Sequence, residues 1–197
     1  MSKLVTIVGN SGSGKTTLAR RLGEEGGWLV YLETHEERPF QAAYAADRRF
    51  ALPNQIDYLL FRAEQERMIR QSGGVGIQDG GLDLDFHLFT HLFYRRGDLS
   101  RTELELCTRL YHTLRSLLPA PELVICLTAP LETIASRKAS RQRTLDISLV
   151  AELGEMQTLL DAWLDSLEAD RLVRVASDHT LQTETGLQRL INRIQQL

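Results

Sequence analysis

Cysteine is scarce: 197 residues carry two, Cys107 and Cys126. Both lie in apolar runs without ligand-like spacing, so they read as buried thiols of a reducing compartment, not as metal ligands. Long hydrophobic runs are missing, and none approaches the length of about 20 residues that spans a bilayer. No membrane partner is therefore expected. An excess of positive charge is missing as well. Lys and Arg total 23 against 26 Asp and Glu, a net charge of −3, so no basic field invites a nucleic-acid polymer. There is no internal repeat, low-complexity stretch or linker. The chain reaches an apolar run at Leu4, and no signal peptide is expected. These absences leave one cytoplasmic domain over residues 1–197, long enough to bury a full core.

What is present begins with Gly9-Asn10-Ser11-Gly12-Ser13-Gly14-Lys15-Thr16. The segment fits G-x-x-x-x-G-K-[ST], the phosphate-binding P-loop. Leu4-Val5-Thr6-Ile7-Val8 before it reads as a buried parallel strand, and Leu18 to Leu22 after it as a helix. Glycines let backbone N–H groups converge on phosphate oxygens, and the helix N-terminus adds partial positive charge. Lys15 would reach the β/γ-phosphates of ATP, and the Thr16 hydroxyl would hold Mg²⁺.

Further strands are predicted at Trp28–Leu32, Val75–Gln78, Leu123–Leu127 and Leu172–Val175. Helical patterns separate them. A short one runs around Gln41 to Asp47. Another starts at Gln55, after a boundary at Pro53 and Asn54, with Ile56, Leu59, Leu60 and Ala63 on one face. A third covers 84–95. Ser100 and Glu103 form a capping box for the next, which buries Cys107, Leu110, Tyr111 and Leu114. Pro130 is placed at a first helical position. A long helix carries Leu153, Met156, Leu160, Trp163 and Leu167, and a final one Leu187, Leu190, Ile191 and Ile194. Strands alternating with helices predict an α/β fold with a parallel sheet covered on both faces, whose ligands bind beyond the carboxyl ends of the strands.

Three strand ends carry chemistry. The P-loop follows the first. Glu33 ends the second, where a carboxylate would accept a hydroxyl proton from an acceptor; the alternative, equally supported by the pattern, is a solvated loop acid near Glu36 and Glu37. Asp79 ends the third, where a Walker-B-type acid helps hold Mg²⁺; the alternative is an acidic turn residue before Gly80-Gly81. Arg137, Lys138, Arg141 and Arg143 form a basic cluster, either a solvated helix face or a lid over phosphates. His87 and His91 lack a third ligand and are not expected to bind metal.

With these residues in place the chain resembles the deoxynucleoside kinase family, above all its bacterial deoxyadenosine/deoxyguanosine kinase branch, from about Lys3 to Asp178. Glu33-Thr34-His35 stands where the family has Glu-Pro-Val and its general base, with Pro39-Phe40 following. Tyr44 and Gln55 repeat the family's spacing of a tyrosine for the sugar 3′-hydroxyl and a glutamine for the base. Arg62 matches an arginine seven residues on, and Asp85 an aspartate that helps bind the base. Arg137, Arg141 and Arg143 match the lid arginines, and Asp146 a sugar-binding acid. Gly80 stands where the family has an arginine beside the general base; another arginine, Arg38 or Arg62, is expected to have taken over.

The resemblance implies a three-layer P-loop kinase fold with a five-stranded parallel sheet and a short arginine-rich lid at about 137–146. It also implies a homodimer that transfers the γ-phosphoryl of ATP to the 5′-hydroxyl of a deoxynucleoside with Mg²⁺. Two alternatives stand beside it. One is a nucleoside monophosphate or other small-molecule kinase, with Arg38, Arg48 and Arg49 as candidates for an acceptor phosphate. The other is a non-catalytic ATP-binding module, the reading that Gly80 favours.

Overall fold

The computed structural model describes residues 2–32, 38–140, 150–177 and 183–197, excepting the side chains of 137–140 and 150. The apolar runs become strands: β1 (Lys3–Gly9), β2 (Leu29–Tyr31), β3 (Val75–Asp79), β4 (Leu123–Thr128) and β5 (Leu172–Ala176). They form one sheet in the order β2-β3-β1-β4-β5, and every pairing is parallel. Ile7 pairs with Asp79 and Gly9 with Leu127, so the P-loop leaves the sheet between the ends of β3 and β4. β2 is shorter than the predicted Trp28–Leu32. It is an edge strand, and the Trp28 N–H is spent on the Gly23 carbonyl at the end of the preceding helix (3.1 Å).

Helices cover both faces, which is why the strand sequences are apolar without alternation. On one side α1 (Lys15–Gly26) and the C-terminal helix (Glu184–Gln195) bury Leu18, Leu22, Leu187 and Ile191 against Val5, Ile7, Ile77 and Ile125. The other side is built from six elements in chain order. They are α2 (Pro39–Ala46), α3 (Ala51–Gln71), α4, α5 (Arg101–Leu117), α6 (Leu131–Ser140) and α7 (Leu153–Leu164); the C-terminal helix is α8. α4 opens as Leu82–Leu84, widens to π-type bonding over Asp85–Thr90 and closes as His91–Arg95. Leu84, Leu88, Met156, Leu160 and Trp163 pack on Val8, Val124 and Cys126. Cys107 and Cys126 are free and buried, and burial pushes both thiols up to about 11.

The capping box forms as predicted. Ser100 Oγ accepts from the Glu103 N–H (3.3 Å), and Glu103 Oε2 accepts from the Ser100 N–H (2.7 Å). Pro130 sits one step earlier than predicted; α6 starts at Leu131, and the Pro130 carbonyl receives the Ile134 N–H. The predicted boundary at Pro53-Asn54 is absent. α3 starts at Ala51 and holds Pro53 in its first turn, where the missing N–H has no intrahelical partner to lose. Its inward face also differs: Leu60 is 42% exposed, whereas Asn54, Gln55, Arg62, Gln65 and Glu66 are buried beside Tyr58, Leu59 and Ala63.

Candidate active site

The P-loop wraps the end of β1. Gly14 adopts φ 104°, a left-handed conformation open to glycine, and this turns the chain into α1. No side chain caps α1 and no acid lies in its first turn. Its N–H donors and the positive end of its dipole are thus left for an anion, as a nucleotide phosphate requires. Asn10 braces the loop. Its Oδ1 accepts from the Ser11 N–H (2.8 Å), and its Nδ2 donates to the Leu153 carbonyl (2.9 Å) at the start of α7. Lys15 Nζ donates to the Gly9 and Asn10 carbonyls (3.1 and 3.2 Å) across the loop.

Thr16 and Asp79, 63 positions apart in the chain, meet: Thr16 Oγ1 donates to Asp79 Oδ2 at 2.5 Å. Asp79 is fully buried, and its other oxygen, Oδ1, has no hydrogen-bond partner among the described residues. A hydroxyl and a carboxylate with a spare buried oxygen, at the mouth of a phosphate loop, suit a hard cation. Mg²⁺ prefers such oxygen donors and completes its shell with phosphates and water. His87 has a different use. It stacks on Trp163 (5.5 Å, 6°), its Nε2 lies 3.3 Å from the Tyr111 hydroxyl, and burial lowers its pKa to about 4.

Beside β3, the buried polar face of α3 meets the π-type segment of α4. Arg62 Nε donates to Asp85 Oδ2 at 2.6 Å, and Arg62 Nη1 donates to the Asp79 carbonyl at 2.9 Å. Gln55 Nε2 donates to the Asp85 carbonyl (3.0 Å), which also receives Thr90 Oγ1 (3.3 Å). The structure therefore brings Gln55, Arg62, Asp85, Asp79 and Thr16 into one connected group. Gln65 extends it. Its Oε1 accepts from Gln78 Nε2 (3.0 Å) and Arg62 Nη1 (3.4 Å), and its Nε2 donates to the Leu32 carbonyl (3.2 Å), one residue before Glu33.

Tyr44 lies apart from that group. Its buried ring packs on Phe93 (5.0 Å). Its hydroxyl donates to Asp98 Oδ2 (2.6 Å) and accepts from Arg48 Nη1 and from Arg96 Nη2 (3.0 Å). One donor and two acceptor positions are all a phenol offers, so this hydroxyl is saturated. Burial, first, and the bond to Asp98 raise its pKa. Arg96 also ion-pairs with Asp98 (2.8 Å) and Glu152 (3.0 Å). The three arginines considered for an acceptor phosphate are each tied to a carboxylate: Arg38 to Asp57, Arg48 to Asp98 and Arg49 to Asp47. Arg38 also lies over the Phe61 ring at 4.3 Å.

Glu33, Arg141, Arg143 and Asp146 fall outside the described residues; Arg137 falls in α6, but its side chain does too. The sequence reading missed Asn10 as a brace to α7, Gln65 and Gln78 behind the strand ends, and Arg96 and Asp98 around Tyr44. A signal existed for one of these: polar residues at 54, 55, 62, 65 and 66 recur with helical spacing on the face that also holds Leu59.

Comparison with known proteins points the same way. The family model described as deoxynucleoside kinase matches residues 5–197. A deoxyadenosine/deoxycytidine kinase of Bacillus subtilis (strain 168) is 24% identical over 199 residues, covering 98% of this chain and 92% of the relative. A deoxyguanosine kinase of the same organism is 26% identical over 144 residues, 72% of this chain and 68% of the relative. Among solved structures, deoxyadenosine kinase from M. mycoides with the products dCMP and a flexible dCDP bound superposes with a TM-score of 0.83. That match has 20% identity over 98% of this chain and 100% of the other. The same enzyme with bound dATP gives 0.80, at 20% identity over 99% of this chain and 100% of the other. The parallel α/β sheet predicted from the strand and helix pattern, and the P-loop kinase fold that the resemblance implied, are thus the ones found.

Proposed function

We propose, from the premise that this chain belongs to the deoxynucleoside kinase family, that it transfers the γ-phosphoryl group of ATP to the 5′-hydroxyl of a deoxynucleoside. The observation that carries the reading is the convergence of the P-loop, the Thr16–Asp79 pair and the Gln55–Arg62–Asp85 group on the ends of β1 and β3. Gly9 to Thr16 cradle the donor phosphates, and Lys15 leaves the loop carbonyls for the β/γ-phosphates. Thr16 and Asp79 hold Mg²⁺, which supplies neutralisation of the phosphate charge when bound. Glu33 takes the proton of the 5′-hydroxyl as its oxygen bonds to the γ-phosphorus. The bond from that phosphorus to the β–γ bridging oxygen breaks, and ADP leaves. Arg137, Arg141 and Arg143 close on the transferring group with their paired donors.

On the acceptor side, Gln55 presents its amide to the base, with Asp85 and Arg62 beside it. Tyr44 and Asp146 take the 3′-hydroxyl, Tyr44 by exchanging one of its present partners. We read residues 1–197 as one domain with a lid at about 137–146, working in the cytoplasm as a homodimer. Among the described residues, no helix is long and apolar enough to cross a membrane. The outer faces of α3 and α5 expose Leu60, Met68, Leu106 and Leu117, which suits a second copy. The monophosphate-kinase alternative is weakened by Arg38, Arg48 and Arg49, whose charges are met by carboxylates.

The test is a phosphorylation screen over all deoxynucleosides and nucleoside monophosphates with labelled ATP and Mg²⁺. The expected product is a deoxynucleoside 5′-monophosphate. Transfer to monophosphates alone would support the first alternative, and ATP binding without transfer to any acceptor the second.

A further inference from the structure

Asn54 lies in the first turn of α3 and has no exposed surface. Neither its Nδ2 nor its Oδ1 has a hydrogen-bond partner among the described residues. An amide offers N–H donors and a carbonyl acceptor, and the large majority of buried side-chain polar atoms in native proteins are paired. The helix end makes no use of this one. Phe50 is the N-cap of α3, and no side chain caps that end. A buried polar group without a bond is destabilising, so an apolar side chain of the same branching would suit the fold better. The chain places an amide where the fold uses none.

Helical geometry sets the direction of that amide. Consecutive positions of a helix diverge by about 100°. Gln55 is turned towards α4, where its Nε2 donates to the Asp85 carbonyl (3.0 Å). Asn54 falls on the neighbouring stripe, which Tyr58, Phe61 and Gln65 continue at helical spacing. That stripe meets the start of α2 and the end of β2. Arg38, which precedes α2, lies over the Phe61 ring (4.3 Å) and 5.8 Å from the Tyr58 centroid. Gln65 Nε2 donates to the Leu32 carbonyl (3.2 Å). Two consecutive amides of α3 are thus directed apart, one towards α4 and one towards α2, the helix that carries Tyr44. The proposed acceptor site draws its residues from these same three helices.

We propose that Asn54 is a second base-reading amide of the acceptor site, pairing through its N–H and its carbonyl with the polar edge of a deoxynucleoside base. The inference rests on the deoxynucleoside kinase reading and deepens it. A nucleobase presents a donor beside an acceptor, a pattern that an amide completes with two hydrogen bonds. Amides directed apart meet different atoms of one base, so the choice of base is set by Asn54 together with Gln55. Without an acceptor the buried amide weakens the fold; a bound base satisfies it. Loss of stability in exchange for binding is common at functional sites.

The experiment uses the full chain as wild type, Asn54→Leu and Asn54→Ala, with ATP, Mg²⁺ and each of deoxyadenosine, deoxyguanosine, deoxycytidine and thymidine. Melting temperature without ligand, affinity by calorimetric titration, and kcat and KM are measured. Asn54→Leu should melt about 2–4 °C above wild type, because an apolar group of the same branching replaces an unbonded buried amide. Its affinity for the deoxynucleoside that wild type binds best should fall at least about tenfold, with the effect in KM, kcat little changed and ATP affinity held. The loss should differ at least about fivefold between bases, because their edges differ and their sugar does not. Asn54→Ala removes the same amide with a smaller side chain and should lose the same affinity; it decides the matter if Asn54→Leu does not fold. The inference is overturned if a folded Asn54→Leu melts below wild type, the mark of an amide satisfied within the fold, as by a buried water. It is overturned equally if ATP and deoxynucleoside affinities fall together, or if all four deoxynucleosides lose alike, which would assign the amide to the sugar. A wild type that phosphorylates deoxynucleosides while the folded variants bind them normally refutes the role of Asn54 alone. A wild type without that activity refutes the proposed function and this inference with it.

Discussion

Arg115→Met probes the support beneath α3. Arg115, on α5, donates from Nη2 to Glu66 Oε1 at 2.6 Å and ion-pairs through Nε with Asp83 Oδ1 at 2.8 Å. Glu66 has no exposed surface, and its second oxygen has no hydrogen-bond partner among the described residues. Burial already raises the Glu66 pKa, and the Arg115 charge opposes that rise. Removing the guanidinium leaves two carboxyl groups facing each other without a cation. Breaking a buried pair from one side costs about 3–5 kcal/mol. Against a typical stability of about 5–15 kcal/mol, the variant should be folded but much weakened.

The pH dependence follows from the same group. Glu66 in the folded variant holds its proton to a higher pH than in the unfolded chain. The folded state then binds more protons, so stability falls as pH rises from the unfolded carboxyl pKa through the raised folded one. The deficit should be largest near pH 7.5 and smaller at pH 5. Urea unfolding of wild type and variant at both pH values measures it. The double variant Arg115→Met with Glu66→Leu should regain at least half the loss, because an apolar pair of similar volume replaces the ions. A deficit below about 1 kcal/mol at pH 7.5, the scale of an exposed pair, would refute the reasoning, as would an equal deficit at both pH values.

Three further perturbations bear on the chemistry. Lys15→Ala should abolish phosphoryl transfer and leave the circular dichroism spectrum unchanged; near-normal turnover would remove the P-loop role. Glu33→Gln should lower kcat by about two orders of magnitude or more, with nucleoside affinity changed far less; unaltered turnover would make Glu33 a loop acid. Gln55→Ala should weaken deoxynucleoside binding by about 1–3 kcal/mol in calorimetric titration while ATP affinity holds; equal losses for both ligands would show that it acts through the Asp85 carbonyl and the fold.

Much of the fold was legible because it follows from local rules. Continuous apolar runs marked the strands, and alternation with helices fixed a parallel sheet. The meeting of Thr16 and Asp79 was legible through the rule that ligands gather at strand ends. Other features depend on tertiary partners that no local pattern displays. Hydrophobic periodicity turned Leu60 inward, whereas α3 in fact buries Gln55, Arg62 and Gln65, whose partners come from α4, β3 and the end of β2. The Tyr44 hydroxyl is claimed by Asp98, 54 positions away, a pairing created only when α4 packs on α2. In sequence Gly80 shows only a missing side chain; the packed structure shows the Arg62 guanidinium lying against that position.

The interposition of β3 has one more consequence, a matter of gauge. Neighbouring strands are separated by about 4.8 Å, so the ends of β2 and β1 stand roughly 10 Å apart, with β3 as the middle rail. Peptide hydrogen bonds set that width; no side chain does. Were β2 paired directly with β1, the gap would halve to about 5 Å, leaving no lane for a phosphoryl group and an attacking hydroxyl. Substitution on either bank retunes charge and proton affinity without moving the rails. If the acceptor is held as proposed above, by Gln55, Arg62 and Asp85, a change of acceptor would be made in α3 and α4 while the spacing of the strand ends stays the same.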